Sequence, residues 1–572
     1  MSHTDPPLSD PAAGTAAPRR LRSRRRPLLL AAGAAAVAVA VAAAVLYARG
    51  GQTQESAAGD TEGPVSGGTL VYGIAGTQVT LDPAVAATAV TGLIDRNIFD
   101  SLVAQTGPDE FEPWLAESWD VSEDGTVYTF TLREGVVFHD GTPLDAEAVK
   151  RSLDHVVDPD TQSAYAASLI GPYAGSRVVD ELTVEVELER PFTPFLQALS
   201  VPYLGIQSPQ ALDRPAEEYE PVGTGPFSFV SWEQDSRVTL ARNPDHSSPR
   251  PDAANDGPAH LEELVFEFVQ EDATRYGALT SGEVHGIAGV PTLNADEVEA
   301  AEGFVLTVQH TPGLNYNLYL NQTGGPLADV TVRRALAASI DVDQLVGSVY
   351  KGHYPVADNP LSELTAGYDP QASGAATGYD PEEAGRLLDE AGWDEVDDEG
   401  FRTRDGERLS LVWPYWAEGT RDQREVLAEG IQAQAAEVGI EIQRPTVDTG
   451  TFVDEHLIGG GYDLVDVSFA RPTPDVLRFA FHSENTYANA GGNVALLTED
   501  DIDSWVTEAA ATADPEEAAE LYSLVQHKVL EEAYIVPLYT PVNLTGFSTD
   551  VQGLAFDEQT YPVFHDAWLS EE

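Results

Sequence analysis

The residue types that could do chemistry in this 572-residue chain are few and scattered. His139 stands beside Asp140 and could form half of a metal pair, but the twelve His are nowhere grouped. The acids Asp394-Glu395 and Asp397-Asp398-Glu399 could attract calcium, yet they lack the regular spacing of a binding loop and suit a solvated surface better. No G-x-S-x-G elbow, H-E-x-x-H helix or Gly-rich phosphate loop ending in Lys occurs. Cys is absent, which removes thiol catalysis, disulfides and Cys-ligated metals. Hydrolysis therefore has no nucleophile or base to rest on. The expectation is a protein with no catalytic residue, no metal site and no cofactor.

Bulk properties narrow the class further. Hydrophobic content of 42% and charged content of 22% are those of a folded globular protein. Lys+Arg 31 against Asp+Glu 94 leaves a net charge of −63, and without the seven Arg and two Asp of residues 1–50 the remainder carries −68. Such a field repels phosphate backbones and excludes nucleic-acid binding. Only three Lys occur, Lys150, Lys351 and Lys528. The acidity fits either a GC-rich genome or a protein kept soluble in salty surroundings.

The elements that would position a site alternate between strands and helices, an α/β arrangement. Thr69–Ile74 reads as a first strand, with a short helical run over 94–102. Residues 114–152 read WLAESWDVSEDGTVYTFTLREGVVFHDGTPLDAEAVKRS. Ser122-Glu123-Asp124-Gly125 turns between two apolar runs, and Tyr128, Phe130 and Leu132 alternate with Thr129 and Thr131. Asp140-Gly141 makes a second turn, and Asp145 is placed to cap a helix, with Leu144 and Val149 as its staple. A half-exposed strand follows over 183–189, and a tight turn over 222–227 enters another strand. Later, Asp341 and Gln344 form a capping-box pattern, and Asp380-Pro381 starts a helix that Gly392 ends. A helix over 424–437 separates strands at 411–413 and 440–442, and the strand 535–539 closes the series.

Hairpin, turn and capped helix in this order resemble the signature of the family 5 solute-binding proteins, the extracytoplasmic receptors of peptide-type ABC importers. GTGPF from Gly223, VTLARNPDH from Val238, PLADVTVRRALAASIDVDQLV from Pro326 and YDPEEAGRLLDEAGW from Tyr379 are similar to the family's wording. The resemblance implies a two-lobed periplasmic-binding-protein-like fold of type II, with an extra subdomain inserted in lobe I. Carried over, lobe I spans 67–270 with the insertion at about 105–175, lobe II spans 271–507, and 508–572 returns to lobe I. It also implies a monomer that captures an oligopeptide or related polar solute and hands it to permease subunits driven by cytoplasmic ATPases. The alternative on the same scaffold is a membrane-anchored sensor of an anionic, nickel-chelate, siderophore or opine-like ligand.

Ahead of this body, six Arg fall between Arg19 and Arg26, and an apolar run fills 28–48. That run is long enough to cross a bilayer as a transmembrane anchor, the alternative being a cleaved export signal, with 1–27 cytoplasmic and 49–66 a flexible stalk. Residues 23–28 also resemble a twin-arginine export signal. With no Cys the chain cannot be a lipoprotein. The expected location is the extracytoplasmic face of the cell membrane.

By the same resemblance, ligand contacts come from Gly76, Thr77 and Gln78, from Tyr316 and Asn317, from Trp413 and Tyr415, and from the loop Phe469-Ala470-Arg471. Peptide-binding members carry an Asp in that loop to pair with the peptide's α-ammonium. Here its place falls on Ala470 or Arg471. Arg471 is suited to a two-pronged bond with a carboxylate, while Asp466 and Asp475 are the acids left to replace the missing Asp.

Overall fold

The computed structural model describes residues 63–570 apart from 77–79, 87, 164 and 418. The run 28–48 lies outside the described residues, and so do Thr77 and Gln78. Among the described residues no helix is long and apolar enough to cross a membrane.

Three sheets organise the chain. The largest has seven strands in the order Phe304–His310, Val542–Ser548, Gly286–Ala288, Thr69–Ile74, Glu263–Phe268, Arg237–Arg242 and Phe227–Glu233. Its central strand Thr69–Ile74 runs parallel to both neighbours. Leu70, Tyr72 and Ile74 alternate into a core that also holds Phe266, Phe547 and Phe564. A four-stranded antiparallel sheet follows the order Ala116–Val121, Val127–Leu132, Thr183–Leu188 and Tyr173–Asp180. The hairpin expected from 114–152 is its first half: Ser122 Oγ accepts from the Val127 N–H at 2.9 Å, and Gly125 takes φ +70 to close the turn. Asp145 then caps the helix Ala146–Val157 by accepting from the Ala148 N–H at 2.8 Å. Leu144 and Val149 are both buried in the same core as Phe130.

The third sheet sets Tyr316–Leu320 between Leu464–Val467 and Ile535–Tyr539, all antiparallel. The chain therefore passes from the largest sheet to this one through 311–315 and returns through 540–541. The two crossings are tied by the Thr311 N–H donating to Pro541 O at 2.9 Å. Neither coincides with the change of lobe expected at 270/271 or 507/508. Strands at 286–288 and 304–310 still belong to the largest sheet, and the helices Asp500–Ala511 and Pro515–Glu531 share a core with Leu314, Tyr319 and Ile535.

Two local expectations also change. The helix placed at 94–102 is instead Ala89–Asp95, because Thr88 starts it early and Asn97 Nδ2 folds back on Leu93 O at 2.9 Å to end it. Asp341 caps its helix through the Gln344 N–H at 3.0 Å, but the return bond of a capping box is not made. The Asp341 N–H goes to Gln434 Oε1 at 2.8 Å.

Candidate ligand-binding site

Arg471 follows the strand Leu464–Val467 and points away from its own sheet toward the four-stranded one. Its Nη2 donates to Ser168 Oγ at 2.9 Å, on the helix Tyr165–Ile170, a partner 303 residues away in sequence. The guanidinium lies 3.6 Å from the centre of the Phe479 ring and 5.1 Å from that of Tyr165. The residue is 4% exposed, its Nε has no hydrogen-bond partner, and no carboxylate among the described residues comes within ion-pair distance. Burial pulls its pKa below the ordinary value, opposed by Tyr165 and Asp475. The cation is thus held by two rings and a hydroxyl, with donor capacity left at Nε.

Asp475 is not free to take a ligand's ammonium. Its carboxylate grips Arg478 with two bonds, Nε at 2.8 Å and Nη2 at 2.7 Å, and the Tyr522 hydroxyl lies 3.4 Å away. Asp466 differs. It accepts from Trp413 Nε1 at 2.7 Å and from the Tyr316 hydroxyl, both neutral donors, and no cation among the described residues pairs with it. Each carboxylate oxygen retains a further lone pair.

The expected site residues divide into groups. Tyr316 and Trp413 meet through Asp466, and Tyr316 stacks on Tyr539 at 4.8 Å with the Arg424 guanidinium 4.3 Å from its ring centre. Trp413 is 1% exposed and serves the core as much as any cleft. Asn317 is fully buried, donating to Asn315 O at 2.8 Å. Tyr415 is half-buried with its hydroxyl on Glu425 at 2.7 Å. Phe469 meets Phe479 edge to face at 4.9 Å, and its carbonyl accepts from the Leu314 N–H at 3.0 Å. Ala470 packs against Gly313, where a Cβ would come within 3.1 Å of the Ala470 Cα. Gly76 takes φ +107 and is clamped by the Gln270 amide through bonds of 2.9 and 2.7 Å. No contact joins Gly76 to the Arg471 group among the described residues.

Sequence reasoning missed what faces Arg471: Tyr165, Ser168 and Phe479, and the cavity of about 320 Å³ that Ser168 and Phe479 help to line. The cavity lies between the helix Tyr165–Ile170 with 190–192 on one side and 478–491 on the other. His139, the metal candidate, instead spends both ring nitrogens on the backbone of the 223–225 turn.

Comparison with known proteins gives this arrangement its context. The profile of bacterial extracellular solute-binding proteins, family 5 (middle region), matches residues 110–489. The glutathione-binding protein GsiB of Salmonella paratyphi A is 27% identical over 512 residues, covering 87% of this chain and 94% of that protein. DppA from Helicobacter pylori, solved with the peptide STSA, superposes with a TM-score of 0.74 at 24% identity, over 89% of this chain and 99% of that one. NikA from Brucella suis, solved with Fe(III)-EDTA, gives 0.77 at 23% identity, over 88% and 100%. These matches establish the two-lobed α/β fold, and with a profile spanning most of the chain, the protein belongs to family 5 of the bacterial extracellular solute-binding proteins.

Proposed function

We propose that this protein captures a small carboxylate-bearing solute between its lobes, with Arg471 as the anchor, and delivers it to the permease of an ABC importer. The observation that carries this is the buried Arg471 guanidinium, which meets the helix Tyr165–Ile170 and has no acid within ion-pair distance among the described residues. Isolated buried charges cost several kcal/mol, and an anion arriving at Arg471 would offset that cost. Peptides and glutathione, for which relatives are named, both carry carboxylates. Asp466, acceptor of two neutral donors on the same strand-and-loop segment, is the acid that would take a ligand's ammonium.

One lobe is built on the seven- and four-stranded sheets and the other on 316–539, with 311–315 and 540–541 as the two hinge segments between them. The chain acts as a monomer outside the cell, held to the membrane through 28–48 with its basic cluster inside. No catalytic group or cofactor takes part.

Native mass spectrometry of the gently purified protein, followed by denaturing extraction, tests the reading. The expected result is a bound anionic compound that Arg471→Gln no longer retains. Retention of a neutral or purely cationic compound, or of the same anion by the variant, would refute it.

A further inference from the structure

The cavity beside Arg471 has a charge pattern of its own. Its lining contains two guanidiniums, Arg190 and Arg478, and no carboxylate, in a chain where acids outnumber bases 94 to 31. The two cations come from opposite walls. Arg190 follows the strand Thr183–Leu188 of the four-stranded sheet, and Arg478 sits on the helix Val476–Phe481 that packs on the other body. Arg478 spends Nε and Nη2 on Asp475 and lies 5.2 Å from the ring centre of Phe192, which also lines the cavity. Its Nη1 has no partner among the described residues. Arg190 is exposed and makes no hydrogen bond or ion pair among the described residues. Asn485 lines the same wall and uses its Nδ2 on Arg478 O at 2.8 Å, leaving its amide oxygen free of that bond.

Ser168 and Phe479 are shared between this cavity and the contacts of Arg471. A ligand whose first carboxylate reaches Arg471 therefore extends directly into a chamber with two more guanidiniums. Counting Arg471, Arg478 and Arg190 against Asp475 leaves two positive charges for the ligand to balance. The volume of about 320 Å³ is at the small end of the roughly 300–1,000 Å³ typical of ligand pockets and suits a small group.

We infer that the natural ligand is a small dianion, with one anionic group on Arg471 and a second held between Arg190 and Arg478. This rests on the assignment of Arg471 as the anchor. The second group is a carboxylate or a phosphate, since both match the planar fork of arginine.

Isothermal titration calorimetry on the full protein tests it, with the near-isosteric dipeptides Ala-Glu and Ala-Gln and with Ala-phosphoserine, which keeps the carboxylate for Arg471, as the phosphate arm. Wild-type protein should bind Ala-Glu, or Ala-phosphoserine if the group is a phosphate, at least about tenfold more tightly than Ala-Gln. Arg190→Gln, an exposed change that leaves the fold intact, should reduce that preference to within about twofold. A preference unchanged in Arg190→Gln, or no preference in the wild type, overturns the inference alone. Loss of all binding in Arg471→Gln shows that the anchor stands; binding unchanged in that variant refutes the anchor itself.

Discussion

Replacing Arg471 by Met should separate binding from folding. In the ligand-free protein the guanidinium contributes two favourable contacts. Its approach to Phe479 at 3.6 Å contributes about 2 kcal/mol as a desolvated cation–π pair, and its bond to Ser168 about 1.5–3 kcal/mol. Against them stands the removal of an unpaired cation from water, which costs several kcal/mol. The two sides nearly cancel. Met fills the same channel, keeps a favourable sulfur contact with the Phe479 ring of about 0.3–1.5 kcal/mol, and carries no charge. The variant should therefore match the wild type in urea unfolding or exceed it by about 1–2 kcal/mol. Affinity behaves differently, since truncating one partner of a buried charge pair costs about 2–5 kcal/mol, a loss of roughly 30-fold to more than 1,000-fold in Kd. Calorimetric titration with the co-purifying ligand reads that loss. A variant that unfolds about 3 kcal/mol more easily while binding as tightly as before would show that Arg471 is a clasp between the lobes and would refute the reasoning.

Other expectations concern the scaffold. Asp95 is fully buried with both carboxylate oxygens unpartnered, and burial, then the nearby Asp82, raise its pKa well above 3.8. The folded state thus keeps a proton that the unfolded chain releases, so stability falls as pH rises above about 4. Asp95→Asn removes this dependence and should gain on the wild type by up to about 1.4 kcal/mol per pH unit between pH 4 and 7; parallel urea midpoints across that range would contradict it. Arg96 is 2% exposed and joins Asp557, Glu558 and Ser200 O, so Arg96→Met, which strands the buried Asp557 while Glu558 keeps Arg250, should cost about 3–5 kcal/mol in chemical denaturation. A Cβ on Gly223 would lie 2.2 Å from Ile98 O, so Gly223→Ala must displace the 97–99 backbone and should lower the unfolding midpoint measurably. With a net charge of −63, the wild type should resist urea better as NaCl rises from 0.05 to 1 M, and a flat response would mean that self-repulsion is already relieved by local pairing.

Much of the scaffold was legible because its signals are local. Thr69–Ile74, Arg424–Glu437 and Ile535–Tyr539 are bounded by the periodicity of their own residues, and Asp380-Pro381 and Asp145 cap the helices that follow them. The run 94–102 misled because Ile94, Ile98, Phe99 and Leu102 are all buried at helical spacing, yet the last three sit beyond the helix end, where the 223–227 turn bonds to the backbone of Asn97 and Ile98 and residues 114–116 bond to that of Leu102. Periodicity reports burial, and burial does not require a helix. The places where the chain crosses between sheets were not legible at all, since strand pairing between residues such as Val308 and Leu544 leaves no trace in either segment alone.

The candidate binding site was half legible for the same reason. Arg471 stood out as a departure, a base where family members that bind peptides carry an acid, and that difference is visible one position at a time. What gives the departure meaning is the other wall: Ser168 and Tyr165 belong to a short helix with no unusual composition, and Arg190 follows an ordinary alternating strand. The pair Asp475 and Arg478 was readable as an i,i+3 match, and reading it would have shown that Asp475 was already spent. With Asp475 committed, the arginines around the cavity no longer cancel, and the charge of the site follows from which acids are occupied rather than from which are nearby. A receptor this acidic overall can still present a positive chamber, because field strength in a buried site is set by the few groups that line it and not by the −63 spread over its surface.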